Sequence, residues 1–147
     1  MLRHNLLHPD LTAALAGAGH GSRVLVADGN YPASTASNRN GTIVYLNLTR
    51  GVVDAVTVLR AVCSAIPVEE ACVMAPLAEG PYAMDSDPDI WKEFSGVLAE
   101  AGSPVGLDPL ERMAFYEAAR ADDVALTVVS GETRLYANIL LRIGVDL

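Results

Sequence analysis

Positive charge is scarce in this chain. Ten lysines and arginines stand against 18 aspartates and glutamates in 147 residues, a formal net charge of −8. A chain so poor in clustered cations suits neither a nucleic-acid backbone nor an anionic membrane surface, so neither is expected as a partner. Cysteine is nearly absent. Cys63 and Cys72 are too few for a disulfide framework, and their apolar surroundings read as buried, reduced thiols. No apolar run approaches the ~18 residues a membrane span needs, and Met1-Leu2-Arg3-His4 leads into no apolar secretory stretch. The expectation is one cytoplasmic domain over residues 1–147, long enough to bury a real core. A mean hydropathy of +0.28 is high for such a domain and points to apolar surface covered by other copies.

Two familiar motifs are missing as well. No Walker-type Gly-Lys-Ser/Thr occurs. Gly17-x-Gly19-x-Gly21 mimics a dinucleotide fingerprint, but that fingerprint follows a strand and opens a helix. Here the glycines close a helix and precede the strand, so no helix N-terminus faces a phosphate. His4 and His8 have a helical metal-ligand spacing, yet Pro9 interrupts the helix and no third ligand accompanies them. They read as exposed terminal histidines.

What is present alternates between strand-like and helix-like runs. Pro9 and Asp10 suit a helix start, with Leu11, Ala14 and Leu15 on one face and Gly17 and Gly19 at the stop. Val24 to Ala27 is the continuous apolar run of a buried parallel strand. Residues 29–41 form a Gly/Pro/Ser/Asn-rich loop, and a strand follows at Ile43 to Leu46. After Gly51, the spacing of Val52, Val56, Leu59 and Cys63 predicts a helix closed by Pro67. Ala71 to Ala75 reads as a strand and residues 76–89 as a long surface loop. Ile90, Phe94, Val97 and Leu98 mark a helix face ended by Gly102. A short strand at 105–107, a helix over 109–121, and strands at 124–129 and 139–143 complete the chain. The pattern predicts an α/β domain, a three-layer α/β/α sandwich with a mostly parallel sheet.

Four places carry chemistry-bearing side chains. His20, flanked by glycines, has an uncovered imidazole in a turn entering a strand. Read plainly, it is a capping or packed histidine. Asp28 ends a buried strand, where ligands gather in open α/β sheets, although an Asx-turn would also place it there. The strand between them holds them apart at ~3.3 Å per residue, so either the turn folds back or two subunits meet at a site. Arg112 suits a sugar hydroxyl or a carboxylate. Tyr136 and Asn138 are neutral hydrogen-bonding groups suited to a polyol.

The run from Ser130 through Tyr136-Ala137-Asn138 to Val145 resembles the C-terminal signature of the fucose mutarotase and ribose pyranase family. Gly19-His20-Gly21 and the run to Asp28 resemble its N-terminal signature. Residues 30–34, 90–94 and 111–117 resemble fucose-type members, and the likeness covers nearly the whole chain in order. It implies an isomerase with no metal or organic cofactor that acts on a free monosaccharide and assembles as a homo-oligomeric ring, typically a decamer. It casts His20 as the catalytic proton donor and Asp28, Arg112, Tyr136, Ala137 and Asn138 as sugar-binding. An arginine at position 112 resembles the fucose type, where ribose-type members carry histidine. Leu48 to Val52 looks more like the ribose type. The family's usual acid two residues after the histidine is replaced by Ser22, and Met113 stands for a usual phenylalanine. The leading expectation is therefore an L-fucose mutarotase. The alternatives are a ribose-type pyranase and a non-catalytic sugar-binding protein on the same scaffold.

Overall fold

The computed structural model describes residues 1–147. Four helices and six strands alternate along the chain as α1 (Pro9–Gly17), β1 (Arg23–Ala27), β2 (Thr42–Tyr45), α2 (Ala55–Cys63), β3 (Val68–Met74), α3 (Ile90–Glu100), β4 (Leu107–Leu110), α4 (Arg112–Arg120), β5 (Val124–Val129) and β6 (Ile139–Ile143). The strands form one sheet in the order β2-β5-β1-β6-β3-β4. Five run parallel, and β6 runs against both of its neighbours, β1 and β3. The sheet is mostly parallel, as expected.

Both faces are covered, which is why the strands read as continuous apolar runs rather than alternating ones. Val24 and Val26 of β1 point to a core shared with Leu11 and Leu15 of α1, Val58, Leu59 and Val62 of α2, and Phe94 and Leu98 of α3. Leu25 and Ala27 point the other way, to Phe115 and Ala119 of α4 and to Tyr31, Ala33 and Ala36 of the long loop after β1. The three layers are thus unequal, with three helices on one side and one helix plus a packed loop on the other.

Four expected elements are corrected. The short strand placed at 105–107 is β4 and runs from Leu107 to Leu110. The helix placed at 109–121 begins at Arg112, and Pro109 lies in β4 opposite Val73. Proline is tolerated there because β4 is the sheet's edge and its outer side needs no N–H. The helix then starts on a cap: the Glu111 carboxylate accepts from the Met113 and Ala114 N–H groups. The helix after Gly51 begins at Ala55, because Asp54 accepts from the Thr57 N–H at 2.8 Å and fixes the N-cap. Val52 lies outside it and is exposed, and the buried face is Ala55, Val58, Leu59, Val62 and Cys63. Finally, β3 starts three residues early, at Val68, and takes in Glu69 and Glu70. Of the two thiols, Cys63 is buried, which pushes its pKa up to about 12, while Cys72 is only half-buried. His8, at the foot of α1, accepts from the Leu11 N–H as an N-cap.

The antiparallel β6 matters for the site. Its N-terminal end enters beside the carboxyl ends of the other five strands. Asp28 after β1, Met74 at the end of β3, Arg112 after β4 and Asn138 before β6 therefore share one end of the sheet.

Candidate active site

At that end lies a cleft of about 300 Å³, lined by Asp28, Asn30, Tyr31, Met74, Tyr82, Arg112, Tyr116, Leu135, Tyr136 and Asn138. This is at the lower end of the roughly 300–1,000 Å³ of small-molecule sites. Its floor is a reciprocal pair 110 residues apart in sequence. The Asn138 side-chain amide donates to Asp28 Oδ2 at 2.9 Å, and the Asp28 backbone N–H donates to Asn138 Oδ1 at 2.8 Å. Asp28 Oδ1 accepts from the Asn30 N–H at 2.9 Å. Both side chains are buried, at 4% exposure each. Burial pushes the Asp28 carboxyl above the usual carboxylate range, although the Asn30 N–H and the Asn138 amide oppose it.

Tyr136 sits at φ +57°, the chain's one non-glycine residue in the left-handed region. That costs about 1–2 kcal/mol for an L-residue and persists where surroundings over-determine it. Here they do. The Trp91 indole N–H of α3 donates to the Tyr136 carbonyl at 3.3 Å. The Tyr136 hydroxyl donates to the Tyr82 carbonyl at 2.6 Å and accepts from the Leu77 N–H at 3.1 Å. The hydroxyl thereby pins the 76–89 loop over the cleft, a structural task that the sequence did not foretell. Ala137, fully buried, packs in the three-helix core between Tyr136 and Asn138.

Arg112 is the first residue of α4 and lies exposed at the rim, its guanidinium 5.7 Å from the Tyr116 ring centroid. Phe115, a turn along the helix, is fully buried and sets the orientation of α4. Tyr31 donates its hydroxyl to the Ala36 carbonyl at 2.7 Å, and its ring lies 5.7 Å from that of Tyr116, tilted by 54°. Burial, with Tyr116 nearby, holds its phenol well above the usual range. The lining is thus aromatic and apolar in part, with Met74, Tyr82 and Leu135, and polar in the rest. The sequence reading gave these last three no role, because nothing in their local pattern marks them.

The turn that carries Tyr136 is itself clamped. Buried Glu132 accepts from the Thr133 and Arg134 N–H groups and from the Arg134 guanidinium, which also pairs with Glu93 of α3. Burial alone would raise the Glu132 carboxyl, but Arg134 wins and lowers it to about 2.

His20 is not at this cleft. It lies at the other end of β1, with the whole strand between it and Asp28, or about 16 Å at 3.3 Å per residue. Its Nε2 faces Glu69 at the start of β3, 3.0 Å from Oε2 and 3.1 Å from Oε1. Of the two arrangements left open by the sequence, the fold-back turn is ruled out. Within one chain the structure brings together Asp28, Arg112, Tyr136 and Asn138, and leaves His20 apart.

The comparisons with known proteins agree with one another. Residues 1–146 match the family described as the RbsD / FucU transport protein family. The chain is 33% identical over 144 residues to the human fucose mutarotase, covering 95% of this chain and 90% of that protein. It is 32% identical over 149 residues to an L-fucose mutarotase of Haemophilus influenzae, covering 97% and 94%. The structure of the Streptococcus pneumoniae fucose mutarotase in complex with L-fucose superposes with a TM-score of 0.78 at 27% identity, covering 99% of this chain and all of that one.

Proposed function

The chain belongs to the RbsD/FucU family, and on that footing we propose that it is a monosaccharide mutarotase that interconverts the anomers of a free sugar, L-fucose foremost. The observation that carries the reading is the cleft at the carboxyl ends of the strands. It pairs a buried acceptor floor, Asp28 with Asn138, with a cation at the rim and an aromatic wall. Such a surface suits a polyol with one apolar edge. Asp28 accepts from sugar hydroxyls, Arg112 donates to them, and Met74, Tyr82 and Leu135 cover a methyl or ring face.

Mutarotation needs two proton transfers. A proton reaches the ring oxygen as its bond to the anomeric carbon breaks, and the anomeric hydroxyl gives up a proton as the aldehyde forms. Re-closure on the other face of the aldehyde reverses both transfers and yields the other anomer. In this reading His20 is the acid, supplied by a second copy of the chain, since its own copy holds it at the far end of the sheet. Asp28 is the proton partner. Its raised pKa makes it a better base than an ordinary carboxylate. Tyr136 is the less suited partner, because its hydroxyl already donates to Tyr82. A contact joining the His20 end of one copy to the cleft end of the next is head-to-tail, and such contacts form a ring where the rotation between copies closes. Exposed Tyr45, Leu48 and Val52 beside the edge strand β2 supply apolar surface for such a contact.

The test is NMR saturation transfer between the α and β anomers of L-fucose and D-ribose. Exchange on fucose that is lost in His20→Ala, by about 10²–10⁴-fold for a positioned acid, supports the reading. Exchange favouring ribose keeps the mechanism and overturns the sugar. A folded protein that accelerates neither acts on another sugar or is a binding protein.

A further inference from the structure

We propose that a polar pocket beside the cleft is a second binding site, built for a phosphate group, either free or as the monoester of a small molecule. The inference does not rest on the mutarotase reading.

The pocket has a volume of about 450 Å³ and adjoins the cleft, with Asn30 lining both. The two linings differ in kind. The cleft has Met74, Tyr82 and Leu135 to cover the C–H face of a sugar ring, whereas the second pocket has no apolar side chain. A ring has nothing to lie against there, so the pocket suits a small and wholly polar group. What it offers is donors. Arg50 brings a guanidinium fork, Asn30 and Asn47 bring amides, and Thr49 and Thr133 bring hydroxyls. None of these five side chains makes a hydrogen bond or an ion pair within the chain.

The one carboxylate of the lining is already taken. Glu132 is buried, and its two oxygens accept from the Arg134 guanidinium at 3.0 and 2.9 Å. Arg134 therefore offsets that charge, and Arg50 is the pocket's uncompensated one. A guanidinium without a carboxylate, set among hydroxyls and amides, recognises an oxyanion. The number of donors favours phosphate over a carboxylate. The fork alone satisfies two oxygens, and a third is needed to use the amides and hydroxyls around it.

The walls are set in advance. Thr49 and Val52 each donate their N–H to the other's carbonyl at 3.0 Å, which closes the turn that carries Arg50. The Gly51 N–H donates to the Gly131 carbonyl at 2.6 Å, and the Gly29 N–H donates to the Glu132 carbonyl at 2.8 Å. The segments bearing Asn30, Arg50 and Thr133 are thus tied together by backbone bonds, and little backbone ordering opposes binding. The pocket also reaches the floor of the cleft, because the Asn30 N–H donates to Asp28 Oδ1 at 2.9 Å.

The test is calorimetric titration at fixed ionic strength with inorganic phosphate and with D-ribose 5-phosphate. It uses the wild type, Arg50→Ala, Thr133→Val and, as a control for the cleft, Arg112→Ala, with particle size followed by light scattering. Saturable binding of inorganic phosphate is expected. It should weaken roughly tenfold or more in Arg50→Ala, the loss of a charge-assisted pair, and less in Thr133→Val, with Arg112→Ala unchanged. Tighter binding of the ester marks its organic part as recognised too, and equal affinities mark phosphate alone; either upholds the site. Phosphate that binds Arg50→Ala as well as wild type overturns the proposal. So does a loss confined to Arg112→Ala, which puts the anion in the cleft, and so does the lack of saturable binding of either probe up to about 10 mM. Arg50→Ala assemblies that dissociate would show that the guanidinium seats a carboxylate of a second copy, and that result overturns the phosphate site as well.

Discussion

Asp28 and Asn138 each complete the other's hydrogen bonding in a buried place, so neither can be changed alone without leaving a polar group unpaired. Asn138→Ala strips the amide from Asp28 Oδ2 and the acceptor from the Asp28 N–H. An unsatisfied buried group costs about 1–3 kcal/mol. The expected outcome is a stability loss of that size in a urea titration, with weaker sugar binding by calorimetry. An unchanged midpoint would mean that water replaces the amide and the clamp is not structural. Residues at this scale were partly legible. Asp28, Tyr136 and Asn138 stood out because polar groups interrupt apolar runs where strands end or begin. Met74, Tyr82 and Leu135 did not, because an apolar residue that lines a cleft reads like one that fills a core. Glu69 was missed because the strand was begun at Ala71, which left the adjacent acids outside it.

The element that positions the cleft's floor is the turn between β5 and β6, and two of its residues admit almost no substitution. Gly131 donates its N–H to the Val53 carbonyl and accepts from the Gly51 N–H, each at 2.6 Å. A Cβ at Gly131 would stand 2.5 Å from the Thr49 carbonyl oxygen and closer still to that of Val52. Gly131→Ala must push the 49–53 turn away, an overpacking cost of roughly 1–3 kcal/mol. The expected result is a lower melting temperature together with weaker sugar binding, since Tyr136 and Asn138 ride on the same turn. Glu132 adds a pH dependence. Its carboxyl falls from an ordinary 4.5 to about 2 in the folded chain, so its contribution is present above pH 4.5 and is lost as pH falls towards 2. That contribution is on the order of 3 kcal/mol. Glu132→Gln should therefore be less stable at neutral pH and lose less than wild type between pH 4.5 and 2, as urea midpoints would record. Equal acid sensitivity in the two proteins would remove Glu132 from that role. Elements were the most legible scale where hydrophobicity was continuous, as in β5 and β6. The misplaced starts of α2 and α4 have a common cause. Apolar periodicity runs on past a capping carboxylate, and Pro109 looks like a helix opener until an edge strand that spares its missing N–H is known.

At the scale of the whole molecule, His20 and the Asp28–Asn138 floor of the cleft lie at opposite ends of one sheet. The distance from His20 to Asp28 is set by a strand that nothing in the fold can shorten. On the proposed reading, a single copy carries half of each of two sites, and the activity belongs to an assembly of copies. This is testable by complementation. His20→Ala retains an intact cleft, and Asp28→Asn retains an intact histidine end, so each alone should exchange anomers slowly. Dissociated and reassembled together, the two variants form contacts in which an intact His20 meets an intact cleft. In a randomly mixed head-to-tail ring such contacts number on the order of a quarter of the total, and exchange should recover to that order. Recovery that depends on co-assembly, and is absent when the two proteins are merely mixed without dissociation, supports a site shared between copies. No recovery from well-formed mixed rings would overturn the pairing of His20 with a neighbour's cleft, and the head-to-tail arrangement would fall with it.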